Sequence, residues 1–169
     1  MEMYLEAEFR LGEEIRTKTQ AWIQRARRYI EIAVVDGGSQ TMDQLIARAY
    51  AALSQEKNEE VLHICDEGLK QFGNLPGTEE LWNLTGWVLH NEKGIEAYDK
   101  ALERCPQYAW GHFLRGHLRH VHNDTRGAEE DYSAALRLNP RILTPLNFRG
   151  IARLSEGRYD EAIQDFTEA

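Results

Sequence analysis

The sequence predicts an all-α chain, a stack of antiparallel helix–turn–helix units, and three observations carry that prediction. The chain matches itself at a shift of 34 residues: Gly116 falls on Gly150, Ala128 on Ala162, Tyr132 on Phe166 and Ala135 on Ala169. The register continues upstream, with Tyr98 on Tyr132, Ala101 on Ala135 and Pro106 on Pro140. The spacing Ala-x3-aromatic-x2-Ala then puts a small, a large and a small side chain on one helical face. Finally, Gly116 and Gly150 recur within helical stretches, where glycine is ~1 kcal/mol less favourable than alanine. Its return in register is explained by close helix–helix contact. A fixed period of this length marks units that cannot bury their apolar faces alone and must stack on neighbours.

Residues 1–38 do not follow the period and form a separate N-terminal segment. Met3, Leu5, Ala7, Phe9 and Leu11 alternate with polar residues, a period that suits a strand; with no sheet to join, the segment is either a frayed helical turn or one that pairs with another chain. Ile15, Trp22, Ile23, Ala26, Tyr29, Ile30 and Ala33 follow a three–four spacing, which predicts a long amphipathic helix from about Glu13 that caps the stack. Asp36-Gly37-Gly38-Ser39 ends it. Residues 39–169 form the array. Its units are 41–73 and 78–107, both degenerate, a clear unit at 108–142, and a truncated one at 143–169. In the clear unit Tyr108 to Val121 reads helical, Asn123-Asp124 breaks it, and a second helix runs from about Gly127 to Leu138 before Asn139-Pro140. The same grammar returns as Thr144 to Leu154, the turn Glu156-Gly157, and a helix from Tyr159 onward. The last helix is followed by no polar cap, so either a longer protein or burial against another copy is expected.

These residues resemble the tetratricopeptide repeat family, whose unit is a 34-residue helix–turn–helix ending near a proline. Trp82, Thr85 and Gly86 occupy its Trp-x2-Leu-Gly slots, with threonine in place of leucine, and Tyr98, Ala101 and Pro106 occupy later ones. Gly86 and Tyr98 are four residues closer than Gly116 and Tyr132, which predicts a shortened turn between those helices. Upstream, Leu45, Ala49 and Ala52 with Val61, Cys65 and Gly68 keep the spacing with atypical residues. The resemblance implies a right-handed superhelix. Arg115 and Asp131, and Arg149 and Asp165, stand 16 apart in register, one on each helix of a hairpin. The arginine slot is usually apolar in this family, so an interhelical ion pair is expected. A surface pair of this kind contributes only about 0–1 kcal/mol.

Composition narrows the function. Twenty Lys and Arg stand against 28 Asp and Glu, a formal charge of −8. That field disfavours nucleic acid and anionic lipid as partners. No apolar run approaches the ~18 residues of a membrane span, and Met1 to Tyr4 shows no secretory pattern. The two cysteines, Cys65 and Cys105, make neither a Cys-x-x-Cys pair nor a disulfide framework. A cytoplasmic protein is the expectation.

No catalytic motif is present, neither Gly-x-Ser-x-Gly, nor a phosphate-binding Gly-x-x-x-x-Gly-Lys, nor His-Glu-x-x-His. An enzyme is not expected. His112, His117, His120 and His122 form the densest cluster, but only His117 and His120 share a helical face, with His90 as an outside donor. Without a carboxylate partner they fall short of a metal site, and no metal or cofactor is expected. The family resemblance implies that the first helix of each pair lines a concave face for a peptide. By register that face presents Asn83, Trp87, His90, Trp110, Phe113, His117, His120, Thr144, Asn147 and Ile151. Phe113 is equally readable as hairpin core. Exposed aromatics among His and Asn suit a peptide with apolar anchors. Some relatives clamp a chaperone's terminal carboxylate with Lys, Asn and Arg, but Trp87, Leu114 and Phe148 hold the matching slots here. The sequence therefore predicts a protein-interaction scaffold, or alternatively a homodimerisation module using the N-terminal segment or the C-terminal end.

Overall fold

A computed structural model of the chain describes residues 41–73 and 75–169. The expected alternating segment, the amphipathic helix from Glu13 and the turn at Asp36 to Ser39 lie outside the described residues. Among those described, every regular element is a helix: α1 Met42–Leu53, α2 Asn58–Phe72, α3 Thr78–Val88, α4 Glu92–Arg104, α5 Ala109–Val121, α6 Thr125–Leu138, α7 Thr144–Ser155 and α8 Tyr159–Glu168. Each helix packs on the next in the chain, giving four antiparallel pairs laid side by side.

Local signals start the helices. Thr41 opens α1 with a capping box: its hydroxyl accepts from the Gln44 N–H at 3.3 Å while its own N–H donates to Gln44 Oε1 at 2.8 Å. Asn91 caps α4 by accepting from the Lys93 and Gly94 N–H groups. Asp124 caps α6 through the Gly127 N–H at 3.0 Å. In each case a side-chain oxygen takes a donor that the first helical turn leaves unpaired.

Three of the four hairpins close alike. Glu56, Asn123 and Gly157 all have positive φ, at 58°, 65° and 76°. The residue after each returns its N–H to a carbonyl five positions back: Lys57 to Ala52, Asp124 to Arg119 and Arg158 to Arg153. This left-handed closure satisfies carbonyls at the helix end. The α3–α4 hairpin is built differently. Its turn, Leu89 to Asn91, has no positive φ, and Leu89 accepts from the Asn91 N–H.

The expected shortening of that turn is corrected by the structure. Three residues join α3 to α4, as three join α5 to α6. The four missing positions come from the helices instead: α3 ends two residues after Gly86 whereas α5 runs five beyond Gly116, and α4 begins one residue later relative to its tyrosine. The helix is shortened, so the crossing itself is preserved.

That crossing is set by glycine against a ring. A Cβ on Gly86 would lie 2.8 Å from Cζ of Tyr98, and one on Gly150 would lie 2.6 Å from Cε1 of Phe166. On Gly116 it would meet Asp131 Cβ at 2.9 Å and Tyr132 Cε1 at 3.0 Å. In the first hairpin Ala49 takes the glycine slot and Cys65 the ring slot, and both are buried in one core cluster. A smaller side chain on α2 thus accompanies a larger one on α1. Burial pushes the Cys65 thiol up to about 12. Around Tyr132, Phe113 and Phe148 lie at ring-centroid distances of 5.9 and 6.1 Å. Trp87 packs against both core clusters and joins them into one core.

The Arg–Asp pairs form, and they are not surface pairs. Asp131 is only 3% exposed and Asp165 only 1%. Arg115 grips Asp131 with Nε at 2.9 Å and Nη2 at 2.5 Å, and Arg149 holds Asp165 with Nε at 3.1 Å and Nη2 at 2.6 Å. A second arginine one turn on completes each site, Arg119 to Asp131 at 2.8 Å and Arg153 to Asp165 at 2.9 Å. Both clusters also reach the previous repeat, through Arg115 to Asp99 at 2.7 Å and Arg149 to the Ser133 hydroxyl at 3.1 Å. Burial works against the Asp131 carboxylate, but hydrogen bonds from His112 and Arg115 outweigh it and hold its pKa below the usual range. Where the arginine is replaced by Thr85, the acid is replaced by Ala97, and Thr85 bonds the Leu81 carbonyl instead.

Two outcomes follow from this packing. A Cβ on Gly94 would lie 1.8 Å from the Leu89 carbonyl oxygen, whereas one on Gly127 meets only the movable Asp124 carboxylate. Gly94→Ala should therefore lower unfolding free energy by about 3 kcal/mol through overpacking, and Gly127→Ala by about 1 kcal/mol through its cap, measured by urea titration. Equal losses would contradict the packing described. Because the folded Asp131 pKa is depressed, its stabilisation is present above the unfolded value of ~3.9 and is lost as pH falls through the lower folded value. Asp131→Asn should flatten stability against pH in that acid window, as read by thermal melts, and lower it at neutral pH by about 3 kcal/mol, since a buried pair is broken.

Candidate functional site: the inner helix face

Successive first helices, α1 with α3, α3 with α5 and α5 with α7, touch one another, whereas among the described residues successive second helices do not. The stack therefore curves with its first helices inside. Their outward stripe is a surface to which every pair contributes, and most of the expected binding residues lie on these helices.

The structure divides those residues. Trp87, Trp110, His117, His120, Asn147 and Ile151 are half-buried and His90 is exposed. Phe113 is corrected from binding residue to core: it is 0% exposed, with its ring centroid 4.9 Å from Trp110 and 5.4 Å from Phe148. Thr144 is likewise buried, in the first turn of α7. Asn83 is 5% exposed, yet neither its carboxamide oxygen nor its nitrogen has a hydrogen-bond partner. The α3 stripe runs into Trp87 and His90, whose rings meet edge to face at 6.2 Å.

The histidines disperse. His112 lies between Asp131, 3.4 Å from Nδ1, and the Pro106 carbonyl, 3.0 Å from Nε2. His122 faces the His90 carbonyl at 3.2 Å. His117 stands edge-on to Phe148 at 5.1 Å. Burial, and then the neighbouring His117, holds the His120 pKa below its usual value. Among the described residues no three metal-ligating side chains come together, and no helix is long and apolar enough to cross a membrane.

One cleft lies between α1, α3 and α5, lined by Tyr50, Glu80, Asn83, Leu84, Trp87, Tyr108, Trp110 and Leu114. Glu80 sits in the first turn of α3, where the helix dipole favours a carboxylate, and accepts a short hydrogen bond from the Tyr50 hydroxyl. Burial raises the Tyr50 and Tyr108 pKa values, and the nearby Glu80 carboxylate raises both further. The sequence reading missed Tyr50, Glu80 and Tyr108. No spacing rule joins a residue in α1 to the start of α3 and the turn before α5.

No family model matches the chain, and no curated protein matches it. Solved structures do. The chain is 18% identical to a crystal structure of MamA over 93% of its own length and 91% of that chain, with a TM-score of 0.69. A MamA RS-1 ArsTM double mutant gives 16% identity, 92% and 90% coverage and a TM-score of 0.70. MamA MSR-1 gives 15% identity, 91% coverage of each chain and 0.65. Likeness at these identities speaks for the fold: a helical-repeat solenoid of the tetratricopeptide type.

Placing Phe113 in the core has a testable consequence. Phe113→Ala should cost about 3–5 kcal/mol of stability, while His90→Ala, on an exposed residue, should change it by less than about 0.5 kcal/mol. Denaturant titration of both variants checks this, and a near-neutral Phe113→Ala would return that ring to the binding face.

Proposed function

We propose that this chain is a non-enzymatic, cytoplasmic interaction scaffold of the tetratricopeptide type that holds a peptide or extended partner segment along its inner helix face. One observation carries the reading most. The first helices converge on one side and present there the half-buried Trp87, Trp110, His117, Asn147 and Ile151 with the exposed His90, and Trp87 and Trp110 line a cleft. Aromatic rings interspersed with hydrogen-bonding side chains supply apolar anchors and orientation together. Preformed helices fix these groups before binding, so little of the site must be ordered by the ligand.

Selection of a displayed peptide library on the full chain tests it. His90→Glu with Asn147→Glu should weaken the selected peptides at least tenfold without changing the melting temperature. Glu130→Arg on the exposed face of α6 should leave them unaffected. Peptides indifferent to the inner-face changes would remove this reading.

Self-assembly through α8 is a second reading that a separate observation favours. Tyr159 is 64% exposed and Ile163 62%. Glu129, the register equivalent of Ile163, binds Arg153 at 2.8 Å and Arg158 at 2.5 Å in the following hairpin. Ile163 therefore faces the place where another helix pair would stack. Sedimentation equilibrium of the wild type and of Ile163→Glu decides it. A mass independent of concentration in the wild type would remove the second reading.

A further inference from the structure

We propose that the cleft beside Glu80 takes a basic side chain, a lysine or arginine, from the bound peptide. The inference rests on the inner face being the peptide site and names the chemistry that one part of it selects.

Two unmet requirements meet in this cleft. Glu80 is half-buried, and among the described residues no cation pairs with it; its one hydrogen bond is from the Tyr50 hydroxyl. A carboxylate partly removed from water without a counter-charge is unfavourable, and a cation delivered to it is correspondingly well bound. The helix dipole at the start of α3 accounts for an acid at this position, but it supplies no donor to the remaining oxygen. Asn83, one turn along the same helix, is the second. It is more than nine-tenths buried, with both carboxamide atoms unpaired, and it lines the same cleft. Native proteins seldom leave such a group unsatisfied without a use for it.

The walls fit the same ligand. Tyr50, Trp87, Tyr108, Trp110, Leu84 and Leu114 line the cleft. Aromatic faces attract a cation, and they also cover the methylene stem of a long basic side chain. A lysine or arginine thus lays its stem against Trp87 and Trp110 and brings its charged end to Glu80. Asn83 Oδ1 accepts from that end or from the ligand's main-chain N–H, and Nδ2 donates to a carbonyl. An acidic residue would meet Glu80 with like charge, and a purely apolar one would leave Glu80 unsatisfied. The charge of the whole chain, −8, steers basic segments toward it.

The experiment titrates the full chain with acetylated, amidated pentapeptides bearing a central lysine, arginine, norleucine or glutamate among alanines, read by tryptophan fluorescence and by amide chemical shifts. Lysine or arginine should bind at least tenfold more tightly than norleucine, and glutamate should not bind. Glu80→Gln should bring lysine down to the norleucine level without altering norleucine, and Asn83→Leu should weaken all peptides alike. Norleucine matching lysine, a lysine preference that survives Glu80→Gln, or no binding of any peptide up to its solubility limit each overturns the proposal. Should the triple variant Arg25→Gln, Arg27→Gln, Arg28→Gln bind lysine peptide where the wild type does not, the occupant is the chain's own basic segment, and the proposal of an external ligand falls. Library peptides that need His90 and Asn147 but show no basic preference would leave the scaffold reading standing and sink this one.

Discussion

Everything in this fold depends on one close approach, repeated in successive hairpins: a glycine on the first helix lies against an aromatic ring on the second. At Gly86, Gly116 and Gly150 there is no room for a methyl group beside Tyr98, Tyr132 and Phe166. The contact fixes how far apart the two helices stand. With that distance set, the small residues flanking each ring, alanines except for Gly94, sit beside it, and the next hairpin meets the same surface in the same orientation. The short third helix shows which feature is conserved by the geometry. Residues are lost from helix ends, and the glycine–ring contact stays in place.

Charge then ties the units together. Asp131 and Asp165 lie on the second helices of their hairpins, each held by two arginines of the first helix one turn apart. Because Arg115 also reaches Asp99, and Arg149 reaches Ser133, the same guanidinium joins hairpin to hairpin. Glu129 adds a further inter-repeat tie through Arg153 and Arg158, whose hydrogen bonds outweigh burial and lower its pKa. These ties lie between the paired helices and toward the second-helix side. The inner face, with aromatics, histidine, asparagine and Glu80, remains chemically distinct from them. Among the described residues, Arg115, Arg119, Arg149, Arg153 and Arg158 are held by the chain's own carboxylates.

Much of this was legible in the sequence, and for a physical reason. The glycine, ring and alanine positions must recur wherever the same crossing recurs, so a period of 34 exposes them. The Arg115–Asp131 and Arg149–Asp165 pairs could be named from spacing alone, because one period fixes the offset between facing positions. Phe113 was ambiguous from spacing, since a residue at the edge of a helical stripe can face either the pair or the groove. Its burial was decided by the next repeat, when Phe148 closed over it.

The sequence by itself determined the helical class, the hairpin units and the partners across each crossing, all of which depend on residues at fixed separations. Only the tertiary structure decided that both aspartates are buried under two arginines, that the unusual hairpin lost helix and not turn, and that Tyr50, Glu80, Asn83 and Tyr108 share a cleft. The first two depend on how two helices of a pair close on each other, and the cleft arises between units. Each repeat's lateral position depends on how its neighbour's side chains fill the space, and no periodicity along one chain encodes that.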